Sequence, residues 1–576
     1  MPGAAERADA HRGDQFRAGD RREVTGEKGL ITRRAALRGA AAAGAMSLAR
    51  PALGRAATTG PVFSRWVGTV AGESAVIAAP RRFALVGVEW SGPATVGIEL
   101  RTRVAGDRAW SPWAVASVLG HGPDRGGSRS GHFGEPIWTG PADDAQLRAS
   151  SPVDGARLHF VASSAPGGPA HVAQAFPPAQ PLLDAGPGQP PIIARSAWAQ
   201  GHAPPSNGPF YGTVKLAFVH HSESPNGYGA GEVPSMLMSI FTYHRYVRGF
   251  FDIGYNFAVD AFGRIWEARA GGIDLPVIGA HAGGYNEEST GMVVLGSFSS
   301  VVPSPAAIDA LERLLAWKLS LHGLPALGRV TVQVAAYDAF YTPFPPGAQV
   351  SLPRVAGHRD GDQTSCPGDA FYARLPSIRP QVAGLAGSPA RLGISGSPAT
   401  VNSGAPVALS GRLTDLATGS PLAGEPIELQ LIARGAEQTI ATLTTGTDGS
   451  WSATFTPVGN SLVRALHRQA PAVVSDVVLM AVAPVLTLTL AGPAPPVEVV
   501  GTVSPAVFRN VTVGLYRVVG ARRLLIASKR VPAGSSGQFA ARFRPRRAGR
   551  YVVIARTAAS ARYVAGVSGA VTLDIP

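Results

Sequence analysis

The sequence predicts a multidomain chain in which a central α/β domain, a mixed β-sheet flanked by helices, lies between β-rich domains. Three observations carry this expectation. The 576 residues exceed one domain of roughly 100–200 residues several-fold. Gly (70) and Pro (49) are abundant while charged residues reach only 16%, against about 25% in an average domain, which suits turns and strands. Helical periodicity is confined to the middle third. A hydrophobic content of 45% excludes a wholly disordered chain. No stretch reaches the roughly 20 apolar residues that a membrane-spanning helix needs. The net charge of +14 comes mostly from scattered arginines, with only four lysines (Lys28, Lys215, Lys318, Lys529). No basic stripe forms, so nucleic acid is not the expected partner.

Residues 1–57 read as a signal region. Thr32, Arg33, Arg34 and Leu37 resemble a twin-arginine address, an uncharged run from Gly39 to Ala49 follows, and Ala56 and Ala57 offer a small-residue cleavage site. Export is therefore expected, to the exterior or the cell wall. Residues 58–175 alternate apolar and polar positions, as in Ala84–Trp90 and Val96–Thr102, and predict a β-sandwich-like domain of unknown role. Trp110 and Trp113 within it are expected to pack in a core or turn. Residues 176–191, rich in Pro and Gly, read as a linker.

Residues 192–385 change texture. Ser304 and Pro305 open a helix whose stripe is Ile308, Leu311, Leu315 and Leu319, and Gly323 ends it. A second helix, about Val233 to Val247, places His244 on its apolar face as a core histidine. Leu216–His220 and Met292–Leu295 read as buried strands. With its own helices and strands, this region is expected to fold by itself. Beyond Gly387 two β-rich segments echo each other. Gly449–Pro457 matches Gly537–Pro545, and Gly411 matches Gly501, at offsets of 88 and 90. Immunoglobulin-like β-sandwiches at 386–481 and 482–576 fit that spacing.

The chemistry concentrates in Val219-His220-His221-Ser222, Gly254-Tyr255-Asn256, and Gly357-His358-Arg359-Asp360 followed by Thr364-Ser365-Cys366-Pro367-Gly368. Two imidazoles and a thiolate suit zinc and leave a fourth position for water. His220 ends a strand, while His358 and Cys366 bracket one turn-rich loop. A thiol nucleophile with a histidine base, or an inert buried cysteine, are the other readings of Cys366.

In order, Arg195–Trp198, Val219–Ser222, Asp252–Phe257, Gly263–Glu267, Gly279–Asn286 and Gly357–Gly368 resemble the peptidoglycan recognition protein and N-acetylmuramoyl-L-alanine amidase family, including T7 lysozyme-like amidases. The resemblance implies Zn2+ held by His220, His358 and Cys366, with Tyr255 and Thr364 in catalysis. His221 and His281 become candidates for substrate contact. It also implies peptidoglycan and its muropeptides as the partner, and a monomer is expected. Phe250 stands where tryptophan is common, and Gly271-Gly272-Ile273 lacks a Gly-Trp pair, so the resemblance leaves the stem peptide open. Two functions follow: an exported zinc amidase cutting the lactyl–L-alanine bond, or a non-catalytic peptidoglycan-binding surface protein.

Overall fold

The computed structural model describes residues 60–120, 122–124, 131–163, 188–387, 389–433, 436–469, 472–492 and 495–576. The expected signal region, residues 1–57, and most of the expected linker, residues 176–191, lie outside these residues. Among the described residues, no helix is long and apolar enough to cross a membrane.

Residues 62–162 form one continuous six-stranded sheet. The 26-residue strand Ile137–Ala162 doubles around Ile77–Ser91, so that Val86 lies opposite both Ile137 and Phe160. A single wrapped sheet thus encloses Phe83, Val88, Trp90, Leu100 and Leu158, where two stacked sheets were expected. Trp110 and Trp113 pack against the guanidinium groups of Arg101, Arg103 and Arg148 at 4.4–5.0 Å.

The central sheet runs in the order Val355–Gly357, Leu216–His221, Ser289–Val294, Phe257–Val259, Ile265–Glu267, Ile192–Ile193. It is mixed, parallel except between Phe257–Val259 and Ile265–Glu267. Strand residues alternate between its faces. Ala217, Val219, Phe257 and Met292 meet the helices Pro305–Leu321 and Leu375–Ala386, while Ala258 and Val293 share a cluster with helix Val233–Tyr243. Ser304 caps the first helix by accepting the Ala307 N–H, and Gly323 stops it at φ 63°. The helix from Val233 passes into a π-helical turn at His244–Arg248. His244 is a core residue: Nδ1 accepts the Gly254 N–H at 3.0 Å, and burial lowers its pKa to about 3.

Two further β units follow. In residues 390–483 two sheets enclose Leu409, Leu413, Ile427, Trp451 and Val463. In residues 485–575 a three-stranded and a four-stranded sheet enclose Val499, Val513, Phe539 and Val553. The sequence echo has a packing cause. Gly411 pairs across strands with Trp451, and Gly501 with Phe539. A Cβ on Gly411 would come within 2.4 Å of the Trp451 ring, and one on Gly501 within 2.5 Å of the Phe539 ring. Each aromatic ring lies over a glycine on the neighbouring strand.

The central domain shares part of its core with the β unit that follows. Leu466, Ala472 and Val474 of the first C-terminal unit belong to the same buried cluster as Leu311, Leu315 and Val382. Beside them Arg464 and Asp274 form a buried ion pair at 2.7 Å.

Candidate metal centre

The wholly buried strand Leu216–His221 delivers two histidines to opposite faces of the sheet. His220 turns toward Tyr255, His281 and His358, with ring centroids 5.2, 5.1 and 4.5 Å away. His221 turns toward Phe298, whose N–H approaches Nδ1 at 3.3 Å. His221 Nε2 faces Glu223 Oε1 at 3.1 Å. Glu223 holds a left-handed φ of 53°, unusual for a non-glycine residue, and this aims its carboxylate back at the histidine.

The loop from His358 to Gly368 supplies the other two ligands. The Gly357 N–H donates to Asp360 Oδ2 at 2.8 Å and the Arg359 N–H to the Cys366 carbonyl at 3.0 Å, which closes the loop on itself. Ligand atoms of His220, His358 and Cys366 come within 4.8 Å of one another, and all three residues are buried. Cys366 Sγ lies 3.7 Å from His220 Nδ1 and accepts the His221 N–H at 3.4 Å.

A ring of partners orients the ligands. His220 Nε2 lies 3.2 Å from His281 Nδ1, and the Asn286 side chain holds the His281 N–H at 2.8 Å. His358 Nε2 lies 3.2 Å from Asp362 Oδ2. Both ligand histidines thus engage Nε2 with a neighbour, the arrangement that commits Nδ1 to a metal. The Arg195–Asp252 ion pair at 2.7 Å fixes the turn leading to Tyr255, since Asp252 also accepts the Ile253 and Ala270 N–H groups. That is the local reason for the arginine-led and aspartate-led motifs.

Burial governs the electrostatics. It lowers the His358 pKa to about 3 and holds His281 well below the usual range, so both rings are neutral. Burial raises the Cys366 thiol and the Tyr255 phenol well above their ordinary values, and the Glu135 carboxylate adds to both. Burial also pushes Glu223 up, but His221 and the hydroxyls of Ser117 and Ser297 outweigh it and hold the carboxylate below its usual pKa. Two neutral imidazoles, a thiol and nearby carboxylates form a set that a divalent cation satisfies, because it favours the thiolate that burial alone opposes. The donor set fits zinc.

The structure gathers His220, His358, Cys366 and Tyr255 into one site. Thr364 is half-buried beside it, accepting the Cys366 N–H at 3.2 Å and donating to the Val118 carbonyl at 3.1 Å. His221 and His281, expected as substrate contacts, are fully enclosed and bear on Glu223 and His220. Sequence reasoning missed Glu223, Asp362 and Glu135. Glu223, two residues beyond the paired histidines, was the one within reach.

Comparison with known proteins bears on this site. Residues 210–369 match the family model described as N-acetylmuramoyl-L-alanine amidase. The central domain is of the amidase and peptidoglycan-recognition type. Residues 45–178 match a model described as Rv3811 N-terminal galactose-binding domain-like. Peptidoglycan-recognition protein LB of Drosophila melanogaster is 27% identical over 187 residues, 32% of this chain and 68% of that protein. Peptidoglycan recognition protein 3 of Homo sapiens is 26% identical over 32% of this chain and 45% of that protein. The solved structure of wild-type Drosophila PGRP-LB is similar at 26% identity and a TM-score of 0.26, covering 32% of this chain and 92% of that one. An N-acetylmuramoyl-L-alanine amidase, LysCS of Clostridium intestinale, is 19% identical at a TM-score of 0.25, covering 34% and 98%.

Proposed function

We propose that the protein is an exported zinc-dependent N-acetylmuramoyl-L-alanine amidase acting on peptidoglycan. The carrying observation is the convergence of His220, His358 and Cys366 on one point beside Tyr255, within a domain matched to the amidase family. Held by these three residues, zinc would supply a Lewis acid for the amide carbonyl and acidify water at neutral pH. The chain's residues supply the rest. Tyr255 donates its phenolic proton in a hydrogen bond to the oxygen on which negative charge develops. Thr364 steadies the Cys366 loop, with no lysine-like charge to offer. His281 fixes the His220 ring, and Asp362 fixes His358. Addition of water across the bond leaves a carboxyl on the lactyl group and a free amine on L-alanine.

The N-terminal address supports export, and the two C-terminal β units are read as immunoglobulin-like spacers or wall-binding modules. The competing reading is a binder without turnover. Retention of the chain's one cysteine at the ligand position favours the enzyme.

Metal analysis tests the reading directly. Purified protein is expected to hold about one zinc per chain, and Cys366→Ser to lose both the metal and the release of L-alanine amino termini from a muramoyl tripeptide. A Cys366→Ser variant that is metal-free and fully active would overturn the zinc mechanism. Products cut elsewhere would overturn the amidase assignment.

A further inference from the structure

Three groups of the metal centre are each engaged by the N-terminal domain. The Tyr255 phenol hydrogen-bonds to the Glu135 carboxylate. The Thr364 hydroxyl donates to the Val118 carbonyl at 3.1 Å. The His358 ring packs against the Gly120 backbone. The backbone there is in close contact: a Cβ on Gly120 would lie 2.8 Å from His358 Cε1, 3.0 Å from Nε2 and 3.1 Å from Thr364 Cγ2. Only a glycine can come so near the ligand ring.

The contact is anchored on every side. Ser117 Oγ lies 2.6 Å from Ser365 Oγ and donates to Glu223 Oε1 at 2.6 Å. Leu119 is buried in the same apolar cluster as Tyr255, Tyr243 and Phe133. Asp124 pairs with the buried Arg269 and accepts the Phe251 N–H at 2.7 Å. The outcome is enclosure: His220, His358 and Cys366 are each 0% exposed and Tyr255 is 1% exposed.

We propose that Ser117–Gly120 is an autoinhibitory plug, a stretch of backbone that sits where a muramoyl peptide would bind, and that it must leave before polymer enters. This rests on the amidase reading for the identity of the substrate, but not for the existence of the block. A peptide backbone suits the role. It offers the Thr364 hydroxyl a carbonyl acceptor, while Glu135 takes up the phenol proposed for the oxyanion. The block holds the enzyme latent until the N-terminal domain shifts.

The single cysteine reports the block without any turnover. Chelator-treated full-length protein is mixed with an aromatic disulfide reagent, and the labelling rate of Cys366 is followed with helix and strand content checked by circular dichroism. The wild type is expected to label far more slowly than unfolded chain. Asp124→Ala, which frees the tether, and Leu119→Ser, which loosens the apolar seat, are each expected to label about tenfold or more faster by raising local opening. Zinc-loaded forms of the same variants are expected to release more L-alanine amino termini from purified peptidoglycan than the wild type. Native-like variants that label no faster than the wild type, or a wild type that labels as fast as unfolded chain, would overturn the plug. Variants that open to the reagent yet cut no peptidoglycan would leave the plug standing and overturn the amidase reading.

Discussion

Removing one oxygen atom from Tyr255 separates packing from chemistry. Tyr255→Phe keeps the ring against His220 at 5.2 Å and leaves all three ligands in place. Loss of one oxyanion donor is expected to slow single-turnover cleavage of a muramoyl tripeptide by roughly 10²–10³-fold with zinc content unchanged. A silent substitution would confine Tyr255 to packing. Asp362 makes a second prediction at this scale. It touches no proposed ligand atom except through His358 Nε2, and burial holds its own pKa well above the ordinary range. Asp362→Ala is expected to weaken zinc binding by about 10–100-fold, the usual cost of losing a partner behind a ligand histidine. Competition with a chromophoric chelator measures it, and unchanged affinity would remove Asp362 from the supporting ring.

Helix Pro305–Leu321 carries the next prediction. Its Lys318 is 2% exposed, and Nζ donates to the carbonyls of Ile273 and Leu275 at 2.8 and 2.9 Å. Burial lowers its pKa to about 7 from an ordinary 10.5; Asp274 opposes that shift and Arg464 adds to it. Between these values the unfolded chain holds a proton that the folded chain has released, so stability should rise with pH from about 7 to 10.5. Lys318→Met is expected to flatten that rise, by an amount on the order of a few kcal/mol in denaturant titrations across the window. An unchanged slope would place the rise on other groups.

This helix was legible in the sequence because cap, proline, stripe and stop all agree at Ser304, Pro305, Leu311 and Gly323. The buried strands were legible for the same reason, since continuous apolar runs leave few alternatives. The candidate ligands were legible through motif order, not through spacing, because His220 and Cys366 lie 146 residues apart in the chain. The wrapped N-terminal sheet was not, since alternation marks strands but is indifferent to whether one sheet closes or two stack. Nor were Glu135, Ser117 and Asp124, which reach the site only through the docking of two domains. Local pattern carries no information about such docking.

At the scale of the whole molecule, the region expected to stand alone shares its core. A chain ending at residue 385 loses Leu466, Ala472 and Val474 from the cluster around Leu315 and strips Asp274 of its partner Arg464. Breaking a buried pair of this kind costs about 3–5 kcal/mol. The truncated protein is therefore expected to melt well below a chain ending at residue 483, in thermal scans read by circular dichroism. Equal melting temperatures would show that the shared cluster adds nothing. The same shared core governs which pieces can be exchanged between chains. A cut at residue 386 divides a buried surface, so a recombined protein that takes the central domain alone inherits an apolar scar. The transplantable block is the central domain together with the β unit and the N-terminal domain whose buried residues complete it.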